Sequence, residues 1–340
     1  MGVRILRCAC WSIAWLIGLG CTVWAFGALH YDFPILKTPV AWVFASTVLV
    51  GVIFLRSAWQ KLVATFFAFA IVLAWWLTLK PTNEADWQRD VAQVAWAEFH
   101  GDEVTLHNVR NCDYRSMTDF TPHWEKRTVR VSQITGIDLA IDYWGSPWIA
   151  HPIASFQFAD APPVCFSIET RMKTGQTYSA IGGLYRQFEL IYVVADERDV
   201  IRVRTNYRKG EDIYLYRTTL TPAQARERFL EYLNSLNKMR ERPRWYNAIT
   251  TNCTTSIRAQ HSAAEHMPWD WRILLNGKGD EMMFENRTIA TGGLPFRELR
   301  QRTLINSAAK AADKSPEFSR LIREGRPGFN APGVPGETRQ

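Results

Sequence analysis

The chain has 340 residues, of which 47% are hydrophobic and 13% aromatic, a composition that excludes a disordered, collagenous or disulfide-stapled protein. Its formal charge of +7 would suit a nucleic-acid binder, but the excess is local. Residues 1–80 carry +5 and residues 81–340 only +2, so no polyanion-binding face is expected in the larger part.

Three uncharged apolar runs open the chain, at about 8–29, 38–55 and 62–79. Each is long enough, at 1.5 Å per residue, to cross a hydrocarbon core of ~30 Å. Trp24, Tyr31, Trp59, Trp75 and Trp76 lie near their ends, where amphipathic rings anchor at a membrane surface. Arg4 and Arg7 precede the first run, and Arg56 and Lys61 fill the short loop between the second and third. Basic loops stay cytoplasmic, so everything after Lys80 is expected outside. A cleaved signal peptide is the rival reading of the first run, and it too leaves the remainder exported. The expected location is the bacterial inner (cytoplasmic) membrane, multi-pass, with the C-terminal domain in the periplasm.

Beyond the anchor, assigned to 1–83, residues 84–99 repeat apolar positions at helical spacing and predict a helix. Short alternating or β-branched runs follow at 103–109, 127–131, 137–143, 153–159, 164–170, 189–195, 199–206 and 212–217, with Gly/Pro/Asp turns between them. ADERD (195–199) reads as a charged turn joining two of these strands. Thr221-Pro222 predicts a helix to about 240, ended by Pro243, and another helix is expected from Asn252 or Cys253. The domain is placed at 84–324, and the Gly/Pro-rich stretch 325–340 reads as a flexible tail. Strands followed by helices, without βαβ alternation, predict an α+β fold with a mostly antiparallel sheet.

The exported part holds three cysteines, Cys112, Cys165 and Cys253, an odd number for an oxidising compartment. Cys253 sits at a predicted helix N-terminus, where unsatisfied N–H groups lower a thiol pKa and can hold an oxyanion. It reads either as a thiolate nucleophile or as a small buried hydrophobe. A nucleophile needs a base and an orienting acid. His151 heads a predicted hairpin, HPIASFQFA–DAPP–VCFSIETR. A turn centred near 161 sets position 151 opposite 171 with 169 diagonal, so His151, Glu169 and Arg171 share a face. That is the geometry of a Cys-His-acid triad, and equally of a solvated histidine beside a surface ion pair. His107 and His123 are less well placed, and His261 lies about two turns beyond Cys253 on one helix. There is no CxxC, no metal-ligand spacing, no GxGxxG and no P-loop, so neither a metal nor a cofactor is expected.

Five segments carry a resemblance: HNVRNCDYRS (107–116), IDYWGSPWIAHPIASFQF (141–158), SIETR (167–171), YSAIGGLYRQFELIYVVADERDVIRVRTNYR (178–208) and YNAITTNCTTSIR (246–258). In this order they resemble the Lnb N-terminal periplasmic domain family, over roughly half the chain. The His-then-Cys order, with Tyr246 seven residues before Cys253, is also similar to circularly permuted papain-like folds. These include the NlpC-type hydrolases and the lecithin:retinol acyltransferase group, whose Asn-Cys-Glu-His motif is replaced here by Asn252-Cys253-Thr254-Thr255. The resemblance implies a nucleophile at Cys253, a base at His151 and an orienting acid at Glu169, with Tyr246 and Asn252 lining the oxyanion or substrate site. Arg110, Asp113 and Arg171 either shape a cleft or form a buried ion network. Three functions then stand side by side: an acyltransferase working on membrane lipids or lipoprotein acyl groups, a cysteine peptidase or amidase of cell-wall peptidoglycan peptides, and a non-catalytic envelope-binding module.

Overall fold

The computed structural model describes residues 2–251, 272 and 276–329. Asn252, Cys253 and the helix expected to begin there lie outside the described residues, as does the tail beyond 329. The described chain divides into two compact units: 1–85 with 175–189 and 244–248, and 86–174 with 190–243 and 249–340.

The first unit is built on three helices, α1 (Gly2–Asp32), α2 (Lys37–Phe54) and α3 (Ala58–Thr78). All three are long and apolar enough to cross a membrane. Ser57 starts α3 as a capping box, exchanging hydrogen bonds with Gln60, so the basic loop ends in a defined turn. Where α1 and α3 finish, segment 175–189 is fastened to them. The Arg186 guanidinium donates to the carbonyls of Trp76 and Leu79, the second at 2.7 Å, and stacks over the Trp76 ring. Trp76 lies in the last turn of α3, where its carbonyl also accepts the Leu79 N–H at 3.2 Å, and Leu79 is the cap residue that follows, so the guanidinium adds donors at a helix end where carbonyls run short of partners. Asp32, the single acid of the first 80 residues, accepts from Trp76 Nε1 at 2.7 Å, Gln187 Nε2 at 2.9 Å and the Arg186 backbone N–H at 3.1 Å. Tyr185 closes over Gly27, where even a methyl group would collide with its ring.

The second unit is a twisted sheet with helices against it. In chain order its strands are β1 (Trp96–His100), β2 (Glu103–Arg110), the short pair β3 (Asp113–Tyr114) and β4 (Phe120–Thr121), β5 (Trp124–Arg130), β6 (Ile134–Trp144), β7 (Ala150–Phe158), β8 (Val164–Arg171), β9 (Glu189–Ala195) and β10 (Glu211–Arg217). The main sheet runs β1-β2-β9-β8-β7-β6-β10, with β5 also on β2. Pairing is antiparallel between β1 and β2, β2 and β5, β6 and β7, β7 and β8, and β6 and β10, and parallel at the β2–β9 contact. The α+β, mostly antiparallel architecture expected from the sequence is the one observed. Ile153, Cys165, Ile191, Val193, Ile213 and Leu215 form one buried cluster with Val200, Ile201, Ile305 and Phe318.

Three local expectations are corrected. Residues 84–99 do not form a helix: Trp96–His100 pairs with β2, and the stretch before it is held through its backbone. Gln88 N–H donates to Met172, Thr174 N–H to Asp86, and the Arg171 guanidinium to the carbonyls of Val91 and Ala92. Once those peptide groups are satisfied by the sheet's own residues, helical spacing of Trp87, Val91 and Ala95 merely marks what faces inward. Residues 195–206 are not a turn and a strand: Asp196 caps helix α4 (Glu197–Arg202), which continues as a π-helical turn over 203–207. The β-branched Val200, Ile201 and Val203 are buried there, so burial overrides strand propensity. Finally, the first residues of the expected tail are packed, with Phe329 against the main cluster and beneath Arg217.

Helix α5 (Pro222–Glu241) is as expected, with Thr221 and Gln224 forming a capping box and Pro222 at its start. It buries Phe229, Tyr232, Leu233 and Leu236 against the sheet, Phe229 edge-on to Phe156 and Phe166. Asn237 from the same helix donates to and accepts from the backbone of Ala97, closing part of the outer strand.

Candidate functional site

The expected β7–β8 hairpin is present, but its register differs from the expected one. Ile153 pairs with Ser167 and Phe156 with Val164, which centres the connection on Asp160. Continuing that register sets His151 opposite Glu169 instead of Arg171. The parity argument survives because the slip is two residues, which leaves every side chain on its face.

On that face His151, Ser167 and Glu169 form a hydrogen-bonded line. The His151 Nε2 lies 2.7 Å from Ser167 Oγ, and Ser167 Oγ–H donates to Glu169 Oε1, also at 2.7 Å. Arg204, carried by the π-helical turn, donates from Nη2 to the same Glu169 oxygen at 2.9 Å. Its Nε stands 3.2 Å from Asp142 Oδ2, and Asp142 is the residue opposite His151 on β6. One buried guanidinium thus lies between two carboxylates contributed by the strands on either side of His151.

The electrostatics follow from that arrangement. Burial opposes ionisation of Glu169, but Arg204 and then Arg110 and His151 outweigh it and hold the carboxyl well below the usual range. Burial also disfavours a charged imidazole, and Arg204 adds to it, so His151 is lowered to about 3. Asp142 moves the other way: burial and the neighbouring Glu211 raise its carboxyl above the usual range despite Arg204. The resting histidine is therefore neutral at ordinary pH, beside an ionised acid.

The other sequence candidates fall elsewhere. Arg171 is buried with its guanidinium over the Trp87 indole, 4.1 Å from the ring centre, and bonded to the backbone of 91–92. Arg110 forks onto Asp199 (Nε–Oδ1 3.0 Å, Nη2–Oδ1 2.8 Å), and the second Asp199 oxygen accepts the Cys112 N–H at 2.6 Å. This pair fastens β2 to the first turn of α4 as a buried ion network. Asp113 is largely exposed, 3.7 Å from Arg202. Tyr246 belongs to the first unit, where its N–H donates to Phe188, its hydroxyl lies 3.3 Å from that of Tyr178, and its ring packs on Gly183. Cys112 and Cys165 are free and buried. Burial, reinforced by Asp199, pushes the Cys112 thiol up to about 11, and burial likewise raises Cys165, so both are poor nucleophiles.

Two residues central to this geometry had no part in the sequence reading, Ser167 and Arg204. Ser167 was within the quoted SIETR segment, and the parity rule that linked 151 to 169 also includes 167. Arg204 carried no such signal, because the segment that presents it reads as a strand.

No curated protein and no solved structure matches the chain. A family model does: residues 120–277, just under half of the chain, match the model described as the Lnb N-terminal periplasmic domain, the family that the sequence motifs resemble, and with the three apolar helices this makes the chain a membrane protein with a periplasmic domain.

Proposed function

We propose that the protein is a cysteine acyltransferase or thiol hydrolase of the bacterial inner membrane, with a permuted papain-like domain that handles lipid or lipoprotein acyl groups. The observation that carries this reading is the buried line His151–Ser167–Glu169–Arg204, which equips a neutral imidazole with a fixed, ionised acid behind it. Cys253 is the nucleophile in this reading. The thiol and imidazole are neutral at rest, and the proton moves to His151 as sulfur attacks the acyl carbonyl. The Sγ–C bond forms, the ester C–O bond breaks, and the departing alkoxide takes the proton back from the imidazolium. An acceptor amine, or water, then attacks the thioester. Its proton passes to His151 and the thiolate leaves, after which thiolate and imidazolium return to their neutral forms. A domain tethered to the bilayer meets acyl chains at high effective concentration, which favours lipid as the donor.

The test is covalent capture. Membranes containing the full chain are incubated with radiolabelled phospholipid or with radiolabelled peptidoglycan peptide, quenched in acid, and mapped by peptide mass spectrometry. Acyl label on Cys253, released by hydroxylamine and absent from Cys253→Ser, is the expected result. Label from the peptide alone would convert the reading to a peptidase or amidase. Label from neither, with folded protein, would leave an envelope-binding module.

A further inference from the structure

We infer that Ser167 is a positioning residue of this site: its hydroxyl carries the link from His151 to Glu169 and thereby selects the imidazole tautomer protonated on Nε2, with the lone pair on Nδ1. The inference rests on the proposed function for the role of Nδ1, but the tautomer follows from counting protons. Glu169 is held ionised by Arg204, so its oxygens only accept. The hydroxyl of Ser167 has one proton, and that proton is directed to Glu169 Oε1 at 2.7 Å. What Oγ presents to His151 at 2.7 Å is therefore a lone pair. A second lone pair on Nε2 at that distance would be repulsive, so the ring supplies the proton. The neutral imidazole has one N–H, and Nδ1 is left as the basic nitrogen.

The arrangement also transmits charge. When Nδ1 takes a proton, the imidazolium Nε2–H bond to Oγ strengthens, and Oγ–H leans further on the Glu169 carboxylate. The acid therefore acts through Ser167, whereas the sequence reading placed it directly against the ring. The charged groups that act on His151 are Glu169 on β8 and Arg204 and Arg208 after α4, while Asp142, opposite it on β6, is itself acted on by Arg204, Arg208 and Glu211 on β10. None of them touches Nε2 in place of the serine, so removing the hydroxyl leaves the ring free to take the other tautomer.

The experiment is the pH dependence of Cys253 alkylation by iodoacetamide in the full-length protein in detergent, read at the Cys253 peptide by mass spectrometry. Wild type is compared with Ser167→Ala, Ser167→Thr and His151→Ala. With the relay in place, Ser167→Ala slows the His151-assisted alkylation at pH 7 about tenfold, while Ser167→Thr, which keeps a hydroxyl, stays within about threefold of wild type. A Ser167→Ala profile that coincides with wild type while His151→Ala shifts it would overturn the role of Ser167 alone. Profiles unchanged in both would remove the Cys253–His151 pairing itself. Should Ser167→Ala fail to fold, nitrogen-15 NMR of histidine-labelled wild type decides the matter, the His151 signals being identified by their loss in His151→Gln. A proton on Nε2 is the expected result, and one on Nδ1 overturns the inference.

Discussion

At the scale of single residues, the histidine at the centre of the site is also a liability in acid. Its pKa falls from 6.5 in the unfolded chain to about 3 in the fold, because burial and Arg204 both oppose its charge. Between those values the unfolded state binds the extra proton, so stability rises with pH there, is fully present above about 6.5 and is lost as pH falls toward 3. Glu169, lowered by Arg204, acts in the same direction but only below its ordinary value of 4.5. Asp142, raised by burial, acts in the opposite direction above 3.8. The contribution of His151 is therefore best read as a difference. Thermal midpoints measured from pH 7 to 5 should fall more steeply for wild type than for His151→Gln, whose amide does not titrate. Parallel curves over that range would mean that His151 is not held neutral.

At the scale of elements, segment 175–189 behaves as a latch on the ends of α1 and α3. Arg186 donates to the carbonyls of Trp76 and Leu79 at the end of α3 and stacks on Trp76, while Asp32 collects three donors. Each charge-assisted bond contributes ~1.5–3 kcal/mol. If Arg186→Ala costs the latch about 1.4–2.8 kcal/mol, its open population grows some 10- to 100-fold. Limited proteolysis in detergent should then cut within 175–189 faster by a similar factor, since cleavage tracks the open fraction when reclosing is fast. Cleavage at the wild-type rate would show that Tyr185 over Gly27 holds the segment without the arginine. Tyr246 and Ala248 bond back to Phe188 and Gly183, so the stretch leading toward Cys253 is attached to the same latch.

At the scale of the whole molecule, the prediction is topological. Arg4, Arg7, Arg56 and Lys61 lie on one side of the three helices, and residues 120–277 match a periplasmic family. A phosphatase reporter fused after Lys80, active only when exported, should be active, and one fused within 56–61 inactive. The reverse pattern would put the domain in the cytoplasm and end the argument from an odd thiol.

What the sequence determined by itself is whatever depends on local physics. Three charge-free runs need no partner to be read as membrane helices. The capping box at Thr221 shows in four consecutive residues, and alternation with a Pro-rich turn is sufficient for the β7–β8 hairpin. The identity of the facing acid and base followed from parity, which a two-residue slip does not disturb. Tertiary structure decided the rest. Whether 84–99 and 199–206 became strand or helix depended on which distant groups took up their backbone bonds and covered their apolar side chains. The role of Ser167 depended on register, and Arg204 reaches Glu169 across 35 residues of chain from a turn whose sequence reads as a strand. Neither contact has a local signature, because both arise only when the sheet and the helix behind it close around the same histidine.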